Sequence, residues 1–528
     1  MWFLFIFICY NDDRVVIVKK IKSFIYDNWL FVVLLLPFIL ICINNRLPDN
    51  DIWFLLNNGR YLINNGIPNI DPFTIHDGLE YVMQQWGSSL LFWELYDIFG
   101  SKVLLVFIYI ISFLLMFVFY KICYIVSEKK KISIVITCIT FVFITDFIVL
   151  RPQVISYLFL LLEILCLELY IKKKKYLYLL FLPLLSFLLI NFHASMWYFQ
   201  FIFLLPFICN GICLEKIKCL SKYKIDKYKL LPILVTMVFM ILVGFINPYG
   251  VDAITFVFKS YGVELFNSEI SEMNPWSLSG VYGIPLLVIL LSLFVGMFLK
   301  KDLRLDIRNI CFICGAIILG FMHTKCFSWF VILIMYSVAY MFRTINFKIN
   351  VHESIKKYLK ALYDGLVISS CLFGIITFAI VIYYSYGNYE VRPGSLGMSF
   401  EEITKYVLDN YDKEKVVLYV DFNNGGYTEF MGLKSYIDGR AELFIKEVNG
   451  KSDIFEEHDR VQKGNIDFDY FVNKYNFTHI MVYTGTVFDK YLSTSEDYII
   501  VYNDTSFIDE DGEGALNLYV HKDVEVLK

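Results

Sequence analysis

Residues 31–54 read FVVLLLPFILICINNRLPDNDIWF. A continuous apolar run is followed almost at once by two carboxylates, Asp49 and Asp51, and then by aromatic residues. About 20 apolar residues in helical conformation are enough to cross the hydrocarbon core of a bilayer. The stretch therefore predicts a membrane-spanning helix that delivers an acidic motif to the membrane surface.

The composition of the whole chain extends this prediction. Of its 528 residues, 58% are hydrophobic and 19% are charged, whereas soluble domains are about 45–50% apolar and about 25% charged. The excess excludes a disordered chain and a single soluble globule, and it predicts a polytopic α-helical membrane protein. Eleven spans are expected, centred on 24–43, 103–122, 132–149, 153–171, 176–191, 195–213, 230–246, 284–299, 309–322, 326–342 and 366–384.

Lysine and arginine predict the orientation of these spans. With a cytoplasmic N-terminus, 27 of the 33 Lys and Arg residues before residue 387 fall in inside loops and six fall outside. This bias follows the positive-inside rule, and an odd number of spans then leaves the C-terminus outside. The runs 309–322 and 326–342 decide whether the number of spans is odd or even. If they formed one kinked helix, the C-terminus would lie on the cytoplasmic side. The predicted location is the plasma membrane, with a multi-pass domain over residues 1–386.

The C-terminal residues 387–528 have the composition of a soluble domain. They carry 27 Asp and Glu against 14 Lys and Arg, and no Cys. Their alternation of apolar runs and turns predicts a small extracytoplasmic α/β domain. The predicted strands are 416–421, 434–438, 478–483, 498–502 and 516–521, the predicted helix is 467–475, and a turn is expected at 423–426.

Every predicted outside turn carries an ionisable residue at the membrane surface, where such residues are costly and mark candidate functional sites. The long first outer loop, residues 44–101, contributes acids and a cation, and four later turns contribute the others. The candidates are Asp49, Asp51, Arg60, Asp71, Arg151, His193, Asn247, Glu272, His323 and Lys325. Each alone also fits an ordinary role, as a solvated loop acid, a snorkelling cation or a turn histidine.

This mixture of side chains suits one kind of chemistry. A carboxylate can accept the proton of an attacking hydroxyl or bind a divalent metal, and Arg, Lys and His neutralise a departing phosphate. The residues therefore predict a lipid-phosphate donor in the bilayer and a polar acceptor arriving from outside. Nothing in the sequence indicates a nucleic-acid partner.

Several short motifs carry a resemblance to known enzymes. They are Asp51-Ile-Trp-Phe, Asn58-Gly-Arg60, Gly66-Ile-Pro68, Asp71-Pro-Phe-Thr, Arg151-Pro-Gln, Asn191-Phe-His193, Asn247-Pro-Tyr-Gly, Glu272 and Asp438-Gly-Arg440. The chain resembles the GT-C superfamily of polyprenyl-phosphate-sugar-dependent membrane glycosyltransferases, which includes protein mannosyltransferases, aminoarabinose transferases, oligosaccharyltransferases and a bacterial Rgt-like group. More narrowly, the motifs are similar to those of a bacterial family of polytopic membrane proteins whose first loop usually reads D-x-W-W-H. Here Phe54 and Leu55 replace the second Trp and the His.

The resemblance implies a glycosyltransferase that moves a sugar to an extracytoplasmic glycan, lipid or protein. Asp51 would be the base or a metal ligand, with Asp71 and His193 as the other catalytic residues. Asp49 and Asp51 would hold a divalent metal such as Mg²⁺ or Mn²⁺ if one is used. The substrate-binding set would be Arg60, Arg151, Asn247, Glu272, His323 and Lys325.

Two alternatives stay open at this point. One is a transporter or flippase without enzymatic activity, which would place its ionisable residues near the bilayer midplane. Spans such as 103–118 and 284–299 contain no charge, which favours the enzyme. The other is a polysaccharide polymerase or ligase, against which the paired aspartates of the first loop argue mildly.

Overall fold

The computed structural model describes residues 29–45, 49–216, 228–260, 263, 265, 269–274, 283–299, 306–343, 374–387, 399–504 and 515–527. Helices dominate the first part of the chain, and a mixed sheet with short helices forms the last part. The described helices of the first part are α1 Leu35–Asn44, α2 Ile52–Asn65, α3 Trp86–Phe99, α4 Lys102–Ser127, α5 Lys130–Phe143, α6 Pro152–Lys173, α7 Leu177–Phe192, α8 Trp197–Lys216, α9 Leu231–Gly244, α10 Val251–Ser260, α11 Gly283–Leu299, α12 Ile307–Met322, α13 Phe327–Met341 and α14 Gly374–Gly387.

Apolar helices of spanning length are present, as the sequence predicts. Within the described part of the chain, four helices are long and apolar enough to cross a membrane: Lys102–Ser127, Pro152–Lys173, Ala194–Ile212 and Thr324–Met341. Shorter apolar helices are Leu30–Asn44, Leu177–Phe192, Leu231–Gly244, Ile307–Met322 and Gly374–Gly387. The helices are consistent with membrane association, and the number of eleven spans stays a prediction. Residues 366–373 of the expected last span lie outside the described residues, and its remainder belongs to α14.

The two apolar runs 309–322 and 326–342, which decide whether the number of spans is odd or even, form two helices. α12 ends at Met322 and α13 begins at Phe327, with a short 3₁₀ turn, Thr324–Cys326, between them. The two helices pack against each other over many residues. Gly320 of α12 makes this possible, since a Cβ there would lie 2.9 Å from the Phe330 ring. A helical hairpin, rather than one kinked helix, occupies 307–341.

The first outer loop is largely helical and rests on the bundle. α2 and α3 cross closely at Gly59, where a Cβ would lie 2.2 Å from the carbonyl oxygen of Ser89. The Asn58-Gly-Arg motif therefore contains a packing glycine. Near the end of this loop lies α3, Trp86–Phe99, whose last residues Ile98 and Phe99 are exposed.

The soluble domain contains a four-stranded mixed sheet in the order β1-β2-β4-β3. β1 runs parallel to β2, and β4 runs antiparallel to both β2 and β3. The strands are β1 Leu418–Tyr419, β2 His479–Tyr483, β3 Tyr498–Asp504 and β4 Leu516–His521; the described helices are α15 Ser399–Asn410, α16 Gly425–Phe430, α17 Lys446–Asn449, α18 Ile454–Lys463, α19 Phe468–Tyr475 and α20 Val487–Leu492. An α/β domain is thus present where the sequence predicts one.

One strand prediction for this domain is wrong. Residues 434–438 form no strand; only Ser435 makes isolated bridges, to Leu418 and to Thr74. The turn expected at 423–426 is present at Asn423 and Asn424, and α16 begins directly after it at Gly425. Both places contact the first outer loop. Ser435 takes Thr74 as a neighbour, and α16 packs on α2, where the Trp53 ring lies 4.9 Å from that of Tyr427.

The first outer loop and the soluble domain are therefore one packed unit. The backbone N–H of Ile75 donates to the Ser435 carbonyl at 3.0 Å, and a His76 ring nitrogen is 2.7 Å from the Tyr436 carbonyl. These contacts hold the domain over the ends of α6, α7, α12 and α13. The space left between the two parts is the candidate site.

Candidate functional site

A cavity of about 880 Å³ lies between the helix ends and the soluble domain. Six of the predicted site residues line it, and they come from five separate turns of the chain. They are Asp51, Arg151, His193, Glu272, His323 and Lys325. Asp49 joins the group through Arg151, with which it forms an ion pair at 2.9 Å. The convergence expected for Asp51, Arg151, His193 and Lys325 is present.

The two acids of the Asp-Asn-Asp motif lie at the start of α2. The backbone N–H of Asp51 donates to the Asp49 carboxylate at 3.0 Å, and Asp51 itself precedes the first helical residue, Ile52. A helix N-terminus carries a partial positive charge that favours carboxylates. The local sequence therefore fixes two negative charges at one end of a helix that points into the cavity.

Arg151 reaches the same point from the start of α6. Pro152 occupies the first helical position, where its fixed φ suits a helix start, and it holds Arg151 in an extended conformation. The guanidinium meets three carboxylates, with Nη2 2.9 Å from Asp49, Nε 3.2 Å from Asp51 and Nη1 2.9 Å from Glu272. Arg151 thus holds Asp51 in place and has little free capacity for a phosphate.

The divalent metal expected at Asp49 and Asp51 stays a prediction. Arg151 already pairs with one oxygen of each carboxylate, Asp49 Oδ1 and Asp51 Oδ2. The guanidinium thus supplies a positive charge between the two acids. Among the described residues, no group of three or more His, Cys, Asp or Glu side chains has metal-binding geometry.

Asp51 has the electrostatics of a general base. Burial raises the pKa of its carboxyl to about 7, against the lowering effect of Arg151 and with further upward contributions from Asp49, Glu272 and Glu442. Its side chain keeps 30% of its accessible surface, and that surface faces the cavity. A base with a pKa near the working pH is the most effective proton acceptor.

The soluble domain closes over Asp51 at Gly439. A Cβ at residue 439 would lie 3.1 Å from the Asp51 carboxylate, tighter than an ordinary contact. The Asp438-Gly-Arg motif thus lets a domain backbone approach the acid of the first loop. Any side chain at this position would press on the candidate base.

Two similar turns present the histidines and the lysine. His193 ends α7 and His323 ends α12, and a one-turn 3₁₀ helix follows each before the next helix begins. His193 Nδ1 is 2.8 Å from the Ser156 hydroxyl, and His323 Nδ1 donates to the Met273 carbonyl at 2.6 Å. Burial, together with the charge of Lys325, lowers the pKa of His193 to about 3. His193 is therefore neutral and does not supply a charge to a phosphate.

Lys325 is the available cation of the cavity. Its ammonium makes no ion pair with any residue in the described ranges, whereas Arg151 is surrounded by three carboxylates. Lys325 also acts electrostatically on His193. Lys325 therefore differs from Arg151, whose charge is already matched by three carboxylates.

Besides Asp49, three predicted residues do not line this cavity. Asp71 is buried and binds Arg440 of the soluble domain at 2.5 Å, and its other oxygen accepts the backbone N–H of Thr74. Arg60 donates to the Phe430 carbonyl at 2.7 Å and stacks on that ring. Asn247 closes its own turn by donating to the Gly244 and Gly250 carbonyls. These contacts favour structural roles over the catalytic role expected for Asp71 and the substrate contacts expected for the others.

The sequence missed the contribution of the soluble domain. Its residues line one side of the cavity, and the polar ones include Asn423, Glu442, His458 and Gln462. Asp438-Gly-Arg440 at a predicted strand end pointed to this region. Glu442 gave no signal, because an isolated Glu in an acidic domain has no distinctive spacing.

The described fold defines a mostly helical protein with helices able to cross a membrane, a small mixed sheet and a polar cavity between the two. Comparison of the chain with models of known protein families and with curated proteins gives no match. The function is therefore argued from the cavity.

Proposed function

We propose that this protein is an integral-membrane glycosyltransferase of the GT-C type, which moves a sugar from a polyprenyl-phosphate donor to an extracytoplasmic acceptor. The observation that carries the proposal is that Asp51 and Lys325 line the same cavity. Burial raises the pKa of the Asp51 carboxyl to about 7, and Lys325 makes no ion pair with any described residue. In a displacement at a sugar carbon with inversion, the base and the leaving phosphate lie on opposite faces of the ring.

The chemical step follows from these positions. An acceptor hydroxyl attacks the anomeric carbon and gives its proton to the Asp51 carboxylate. The bond from that carbon to the phosphate oxygen breaks, and the electron pair leaves with the polyprenyl phosphate. The ammonium of Lys325 neutralises the charge that grows on the phosphate, while Arg151 keeps the Asp51 carboxylate oriented.

The apolar part of the cavity supports a lipid donor. Beyond the polar groups, the wall is formed by side chains of α8, α12 and α13, namely Met196, Phe199, Ile202, Leu319, Met322 and Trp329. Ile202 and Met322 are also exposed on the outer surface of apolar helices. An isoprenoid chain in the bilayer could lie along this surface with its phosphate at Lys325.

The membrane arrangement belongs to the same proposal. It has eleven spans, a cytoplasmic N-terminus and the soluble domain outside, in the plasma membrane of a bacterium. The 27 Lys and Arg residues of the predicted inside loops support this orientation. A lipid-linked sugar and an acceptor from outside would then meet at the membrane surface.

Incubation of the purified protein with a panel of polyprenyl-phosphate sugars tests the proposal. We expect at least one donor to release polyprenyl phosphate, and we expect Asp51→Asn to abolish this release. A matched control is Asp252→Asn, since Asp252 is an exposed acid on α10 that does not line the cavity. Lack of release from every donor, or equal release by wild type and Asp51→Asn, would contradict the proposal and favour a transport function.

A further inference from the structure

The cavity wall opposite the membrane helices contains a carboxylate, Glu442, that has no role in the proposed reaction. Glu442 lies in the 3₁₀ helix Ala441–Phe444 of the soluble domain and lines the cavity. Its negative charge acts on Asp51 and helps to raise the pKa of that carboxyl. The two acids therefore face the same space from different parts of the chain.

Glu442 differs from the other charged groups of this wall, which are already neutralised. Asp459 and Glu269 share Lys463, at 2.7 and 2.9 Å. The guanidinium of Arg440 is enclosed by Asp71, Asp438 and Glu429. Within the described ranges, Glu442 alone among these groups makes no ion pair and no side-chain hydrogen bond, although it is only partly exposed.

The position of Glu442 is fixed by the packing around it. Arg440, two residues earlier, is tied to Asp71 of the first outer loop, and the neighbouring side chains Leu443 and Phe444 are buried in the domain core. Gly439 rests against Asp51. Glu442 thus stands on a rigid segment whose other residues are held by contacts, which is typical of a binding group.

We propose that Glu442, with the amides of Asn423 and Gln462, forms the acceptor-binding wall of the cavity and selects a neutral or amino-bearing carbohydrate over an anionic one. This inference rests on the proposed function, because it assigns the acceptor to the half of the cavity that the lipid donor leaves free. Carboxylate and amide groups bind sugar hydroxyls through hydrogen bonds. The charge of Glu442, which has no ion pair among the described residues, would repel a carboxylated or phosphorylated sugar and attract an ammonium group.

Binding of three trisaccharides to the full-length protein in lipid nanodiscs tests this inference without requiring sugar transfer. The probes are chitotriose, its fully de-N-acetylated form and trigalacturonate, which are neutral, cationic and anionic chains of three rings. We expect affinity to fall in the order cationic, neutral, anionic. In Glu442→Gln we expect the preference for the cationic over the neutral chain to fall about fivefold, as for loss of one partly exposed charge pair.

Glu447→Gln is the matched control, because Glu447 is an exposed acid five residues along the same domain that does not line the cavity. It should keep the wild-type preference. Tightest binding of trigalacturonate, an unchanged preference in Glu442→Gln, or binding of none of the three chains would overturn the inference.

Release of polyprenyl phosphate, measured in parallel, separates this inference from the proposed function. If trisaccharide selectivity depends on Glu442 while no donor is turned over, the binding wall stands and the glycosyltransferase proposal fails. Turnover of a donor without Glu442-dependent selectivity would leave the enzyme proposal intact and remove the binding wall.

Discussion

Arg151 Nε lies 3.2 Å from the Asp51 carboxylate, although 100 positions separate the two residues in the chain. The same guanidinium binds Asp49 and Glu272. Arg151, in the second predicted outer turn, therefore forms ion pairs with acids of the first and fourth predicted outer turns. The guanidinium therefore pairs with the candidate base at the N-terminal end of α2.

Asp51→Asn should abolish sugar transfer without unfolding the protein. The substitution keeps the size of the side chain and removes its basicity, which costs about 10²–10⁴ in rate when the group is a general base. Asp49→Asn should lose less, because Asp49 contacts Arg151 and the Asp51 backbone but does not itself line the cavity. Turnover per molecule and gel-filtration profiles of the two variants check this. Wild-type turnover in Asp51→Asn would end the catalytic assignment.

The rate of transfer should rise with pH through about 7. Asp51 accepts a proton only when ionised, and burial raises the pKa of its carboxyl to about 7, so protonation removes the base below that pH. Glu442→Gln removes a charge that raises this pKa and should therefore move the midpoint to lower pH. The profile of kcat/KM against pH measures both effects. A wild-type midpoint near 4, the value of an ordinary Asp, would contradict a buried base.

Chelation of divalent metals should leave wild-type turnover unchanged, whereas Arg151→Lys should lower it at least about tenfold. A lysine ammonium lacks the planar array of donors with which Arg151 holds three carboxylates. Rates measured with EDTA, and after addition of Mg²⁺ or Mn²⁺, check the first part. Loss of turnover in EDTA that Mn²⁺ restores would show that a metal displaces Arg151.

Asp71→Asn should lower thermal stability and leave turnover per folded molecule nearly unchanged. The buried Asp71 carboxylate accepts a hydrogen bond from Arg440, and loss of a hydrogen bond between charged groups costs about 1.5–3 kcal/mol. Asp77→Asn, at an exposed acid in the same loop, should change the free energy of unfolding by less than about 0.5 kcal/mol. Melting curves in detergent distinguish the two. A large rate loss at unchanged stability would restore the catalytic role expected for Asp71.

A cysteine introduced at Ser452 should react with a membrane-impermeant thiol reagent on intact cells. Ser452 is exposed in the soluble domain, and that domain is proposed to lie outside. The background should lack exposed native cysteines such as Cys314. Labelling that occurs only after lysis would place the domain in the cytoplasm and would reverse the proposed orientation.

The sequence by itself determined the helical character of the first part, the α/β character of the last part and most of the membrane-side candidates. Long apolar runs and alternating apolar residues have one favourable local structure each, so their period is enough to predict them. Ionisable residues beside apolar runs are costly, so their presence alone pointed to Asp51, Arg151, His193 and Lys325. These residues line one cavity, as their placement in outer turns predicted.

Only the tertiary structure decided which polar residues bind one another. Asp71 and Arg60 carry the same kinds of charge as Asp51 and Arg151, yet they hold the soluble domain instead of lining the cavity. Residues 434–438 form no strand, and Ser435 makes only isolated bridges, to Leu418 and to Thr74 of the first outer loop. For the same physical reason, the sequence did not predict the cavity wall that contains Glu442. A contact between residues hundreds of positions apart depends on how two folded parts pack, and local sequence patterns do not encode that packing.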